Sequence, residues 1–63
     1  MDYLDDIRIV LNIHKKRYTK ELINDINEYL NDILFELIKE GKTKEEADDW
    51  ISNNFWQYVR ERV

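Results

Sequence analysis

The chain has 63 residues, with 14 acidic and 10 basic side chains, a formal charge of −4 and no cysteine. A chain of that length forms one domain, buries only about 60% of the surface its unfolded form exposes, and has little stability to spare. Disulfides are excluded, the lone His14 cannot supply a nitrogen/sulfur metal site, and no Asp-x-Asp-x-Asp-Gly loop is present for calcium.

No cofactor or metal is therefore expected, and a partner chain is the remaining source of added stability. No apolar run approaches 18 residues, and the acidic opening Met1-Asp2-Tyr3-Leu4-Asp5-Asp6 lacks a signal-peptide pattern, so the expectation is a cytoplasmic protein with no membrane partner.

Proline is absent and Gly41 is the single glycine, so helix breakers are scarce. The pattern predicts an all-α, three-helix bundle with helices at about 2–17, 20–40 and 44–61. The first opens with Asp2 as a cap. It sets Tyr3, Leu4, Ile7, Val10, Leu11 and His14 on one face at three/four spacing. Ile9 and Ile13 fall on the opposite side. The run His14-Lys15-Lys16-Arg17 closes this helix, where cations complement the dipole.

Thr19 is the expected cap of the second helix, with Tyr18 and Ile23 at hydrophobic-staple spacing. Ile23, Ile26, Leu30, Ile33 and Leu37 alternate by three and four, a heptad seam, and Leu22, Tyr29, Leu34 and Ile38 widen it. A seam this wide packs two neighbours, which makes this the central helix. Gly41 suits the left-handed residue that ends it.

Thr43-Lys44-Glu45-Glu46 is a capping box that starts the third helix. Ala47, Ile51, Phe55 and Tyr58 share its apolar face, flanked by Trp50 and Val59. Trp56 is expected to point away.

The outer face of the second helix carries the functional signal. Glu21, Asp25, Glu28, Asp32 and Glu36 fall within roughly 80° of one another, opposite the seam. No basic residue intervenes between Glu21 and Lys39. Solvated helix faces ordinarily mix Glu with Lys at i,i+4 spacing. Here Glu21/Asp25, Glu28/Asp32 and Asp32/Glu36 repel, at a summed cost of about 1 kcal/mol. Glu36 and Glu40 also oppose the helix dipole. A basic partner surface would offset this.

Phe35 flanks the acids, and Trp56 belongs to the residue type favoured at interface hot spots. The candidate partner-binding set is therefore Glu21, Asp25, Glu28, Asp32, Phe35, Glu36 and Trp56. Ile9 and Ile13 form a candidate dimer or partner seam.

The expected function is a non-catalytic binding module, an inhibitor or regulator that docks its acidic face on a basic surface of a larger protein. That surface could be one that binds nucleic acid, which the stripe would imitate. Five charges over about 22 Å are sparser than the roughly one per 1.7 Å of duplex DNA, so mimicry needs the acids of the third helix as well.

Two alternatives stand beside it. One is a helix-turn-helix DNA-binding regulator, built on His14, Lys15, Lys16, Arg17 and Lys20. Its would-be recognition helix begins with Glu45, Glu46, Asp48 and Asp49, which repel phosphate, so direct nucleic-acid binding is disfavoured. The other is a purely structural homodimer. An enzyme is not expected: Thr19 and Thr43 are accounted for as caps, Ser52 has no neighbouring base, and exposed carboxylates lack the burial that tunes an acid–base pair.

Overall fold

The computed structural model describes residues 2–63. Its elements are α1 (Leu4–Ile13), α2 (Lys20–Lys39), α3 (Lys44–Asn53) and α4 (Phe55–Arg60). The fold is all-α, with no strand among the described residues. α2 is the central helix, packed on both α1 and α3. The expected three helices are four, and two of the three expected spans are shorter than the pattern indicated.

α1 ends at Ile13, not near Arg17. The amide of Lys16 donates to the Leu11 carbonyl (2.9 Å) and that of Lys15 to Asn12 (3.1 Å). With Lys15 at φ 55°, this is a Schellman stop made without glycine. α2 ends in the same way: Lys42 donates to Leu37 (3.1 Å) and Gly41 to Ile38 (3.0 Å), with Gly41 at φ 108°. Because α1 stops early, His14 is not on its apolar face; it is exposed in the connection between the helices.

α2 and α3 start at their expected caps: Thr19 Oγ1 accepts from the Leu22 amide (3.1 Å), and Thr43 and Glu46 bond reciprocally at 3.1 and 3.0 Å. α1 does not start on Asp2: its N-cap is Tyr3, which makes no side-chain cap bond, and Asp2 Oδ1 accepts from the Leu4 amide (2.9 Å) from one residue further out. The start of α1 is also tied to α2, since the Tyr3 amide donates to Asn27 Oδ1 (2.8 Å).

The expected third helix breaks at Asn54, which lies at φ −118°, ψ 19°. Its Nδ2 donates to the Trp50 carbonyl (2.8 Å), and its own amide is shared between Trp50 and Ile51. Asparagine competes for backbone partners in this way, so it tolerates an interruption that the packing of α4 favours. The break re-aims α4. Val59 becomes fully buried, and Trp56 turns in to pack against the core instead of pointing away. Trp50, by contrast, is largely exposed, with its Nε1 donating to the Tyr58 hydroxyl (2.8 Å) across the break.

The core comprises Tyr3, Ile7 and Leu11, then Ile23, Ile26, Leu30 and Leu34, then Ala47, Ile51 and Val59. On α2 the deeply buried line runs 26–30–34, so Leu34 takes the place expected for Ile33, and Leu37 is only half-buried. A straight helix drifts about 20° per heptad from a 3.5-residue seam, which turns Leu34 into the core.

Candidate functional site

The five carboxylates of α2 lie along its outward face, each exposed. Their helix is anchored from below by Ile26 and Leu30, which fixes the direction in which the acids project. Phe35 stands beside them at 66% exposure, an uncovered ring on an acidic surface.

Among the described residues, Glu21, Glu28, Asp32 and Glu36 have no ion-pair partner, whereas Asp25 does. Arg62 grips it with two nitrogens: Nη2 lies 2.9 Å from Oδ2 and 3.1 Å from Oδ1, and Nε lies 3.3 Å from Oδ2. The same guanidinium sits over the Tyr29 ring, 5.0 Å from its centroid. The bond to Asp25 raises the Arg62 pKa further above its ordinary value. An exposed pair of this kind contributes little to stability. It does orient the chain's last turn against α2, reinforced by the Tyr29 hydroxyl, which donates to Glu61 Oε2 at 2.6 Å.

The acids at the start of α3 do not all extend the stripe. Asp48 turns inward and accepts from the Tyr3 hydroxyl at 3.0 Å. Burial, then this bond to a carboxylate, pushes the Tyr3 hydroxyl well above the usual phenol range. Glu46 is held by its capping box, whose bonds to the Thr43 backbone and hydroxyl lower its pKa.

Trp56 does not join Phe35 and the acids. Its indole stacks flat on the His14 imidazole, with centroids 3.7 Å apart and planes 5° from parallel. It also lines a cleft of about 390 Å³ together with Leu22, Val63 and the cations Lys16, Arg17, Arg60 and Arg62. The sequence places these cations at two distant points of the chain, and helical periodicity does not bring them together. The signal that could have joined them is Asn53-Asn54, a weak point in the third helical pattern that lets α4 bend back toward the start of α2.

Ile9 and Ile13 are 56% and 68% exposed, one turn apart along α1. Ile9 borders a second cleft of about 300 Å³ with Tyr3, Asp6, Val10, Ser52 and Phe55, and Ile13 does not. Ser52 has no basic group in that cleft, so the lining offers no activated nucleophile. Among the described residues no group of three or more His, Cys, Asp or Glu is placed to hold a metal, and no helix is long and apolar enough to cross a membrane.

No protein-family model matches the chain, and comparison with curated proteins and with solved structures gives no match.

Proposed function

We propose that the chain is a non-catalytic binding module that docks the outer face of α2 on a basic surface of a larger protein and so inhibits or regulates it. The observation that carries this reading is the set Glu21, Glu28, Asp32 and Glu36, left without internal cations beside an exposed Phe35. Four cations of the same chain lie together near the start of α2, yet only Arg62 is spent on the stripe. The charges on the remainder of the face are uncompensated, and their mutual repulsion would be relieved by basic groups from outside. Phe35 supplies the apolar anchor such a contact needs at its centre.

Affinity capture from host lysate, washed across a salt series, tests this reading. A basic partner should be retained by the native chain and released as salt screens the contact. Glu28→Lys with Asp32→Lys should abolish that retention while helicity is preserved, and Phe35→Ala should weaken it by about tenfold or more. Retention of the same partner by the charge-reversed chain at physiological salt removes the basis for the proposal. Asp25 is left out of the variant because its loss would also free Arg62.

The exposed pair Ile9 and Ile13 favours a second reading, a homodimer joined along α1. Sedimentation equilibrium decides it: a dimer that becomes monomeric on Ile9→Lys with Ile13→Lys supports the seam, and a native monomer at high concentration excludes it.

A further inference from the structure

The cleft between the α1–α2 connection and α4 is lined by none of Glu28, Asp32, Phe35 or Glu36, and touches the acidic face only through the pairing of Arg62 with Asp25. We infer that it is a binding site for a small phosphate ester with a planar or apolar body, the chemistry of a nucleoside phosphate.

The cleft joins two kinds of surface. Its apolar part is Leu22, Trp56 and Val63, and its charged part is Lys16, Arg17, Arg60 and Arg62. Four cations converge here in a chain whose net charge is −4. Among the described residues, Lys16, Arg17 and Arg60 have no carboxylate partner. Holding like charges around one depression costs repulsion, and a multivalent anion seated among them reverses the sign of that interaction. A phosphate dianion suits guanidinium groups because it accepts paired N–H donors, whereas a single carboxylate would leave most of the cations unmatched.

The apolar part selects the body of the ligand. Trp56 is held in place from outside the cleft, since His14 stacks on it without being part of the lining. A ring fixed in this way loses little freedom when a second planar group packs on its remaining surface. The volume, about 390 Å³, lies within the range of small-ligand sites, roughly 300–1,000 Å³. A nucleic-acid strand is the less suitable occupant. Leaving the cleft along α2, its phosphates would pass the unpaired Glu21 and Glu28, which repel them.

The test is a titration of the ¹⁵N-labelled native chain at low ionic strength, following the Trp56 indole N–H and the amides of Leu22 and Val63. The probes are ADP, GDP, CDP and UDP, with the four parent nucleosides, inorganic phosphate and a single-stranded oligothymidylate as comparisons. At least one nucleotide should give saturable shifts confined to the cleft. Its parent nucleoside and inorganic phosphate should each bind at least about tenfold more weakly, the loss expected when either half of the contact is removed. Arg17→Gln with Arg60→Gln should weaken nucleotide binding by about tenfold or more while leaving the helical spectrum intact.

Absence of saturation by about 5 mM for all four nucleotides overturns the inference. So does equal affinity for nucleoside and nucleotide, or for the native and doubly substituted chains. Tighter binding of the oligothymidylate than of any nucleotide would replace the small ligand with a strand. Because these readouts do not involve Phe35, Glu28 or Asp32, they stand or fall apart from the docking of the acidic face.

Discussion

Lys15 and Gly41 occupy the same place in two copies of one helix stop, and only one of them is the residue that place favours. A side chain at positive φ costs roughly 1–2 kcal/mol, which glycine avoids. Lys15→Gly should therefore stabilise the fold by about 0.5–1 kcal/mol after its greater unfolded-state freedom is subtracted. Gly41→Ala should destabilise it by about 1 kcal/mol, although an added Cβ would meet no atom within 4 Å, so the loss is one of backbone conformation alone. Urea midpoints of the two variants, shifted in opposite directions, check the pair.

Glu46 gives a residue-scale dependence on pH. Its folded pKa lies below the ordinary value because the charged carboxylate accepts from the Thr43 backbone and hydroxyl. The stability it adds is present above the ordinary glutamate range and is lost as pH falls through the folded value. Protection factors of the amides at the start of α3, with the intrinsic pH dependence of exchange divided out, should fall on acidification, and Glu46→Gln should remove that dependence. Tyr29 behaves with the opposite sign: its bond to Glu61 raises its pKa, so its contribution is lost as alkali deprotonates it.

At the scale of the element, the break at Asn54 is decided by packing. Asn54→Ala would gain about 0.5 kcal/mol of helix propensity. Straightening α3 into α4 would withdraw Val59 from complete burial, worth about 1.5–3 kcal/mol. The second term wins, so the variant should keep its break and show no rise in helical ellipticity; a clear rise would contradict the assignment. This element also marks where the sequence stops being legible. Thr19, Gly41 and the Thr43–Glu46 box state their roles in their chemistry, and the structure places helix ends at each of them. The stop at Lys15 carries no such residue, and Asn53-Asn54 is only a mild breaker. Neither boundary is announced by a strong local signal. The acidic face was legible because helical periodicity alone assembles it. The basic cleft was not, because it joins residues about 40 positions apart through a bend that the pattern does not announce.

For the whole molecule, α2 is the structural spine of a body 35 × 20 × 18 Å. A chain of this length has a total stability on the order of 3–9 kcal/mol. Leu30 is fully buried on the side of α2 that faces its neighbours. Leu30→Ala, at a cost of about 2–5 kcal/mol, should consume most of that margin. Circular dichroism should show a steep drop in the melting temperature or loss of the cooperative transition. Charge is divided over the same body. Uncompensated carboxylates run along the outer face of α2, and cations collect where the chain's last turn meets that helix's beginning. Asp25 and Arg62 stand at the border between the two.

α4 has only six residues, far too few to hold a helical shape by its own hydrogen bonds. Its order is borrowed from Val59, from Tyr29 and from the grip of Arg62 on Asp25. A segment so dependent on its surroundings samples detached states more often than the spine does. Any molecule lodged beside Trp56 and Arg60 must lower the frequency of those excursions, so its residence would be written first in slower deuterium uptake at Val59 and Arg60, before any change in overall shape.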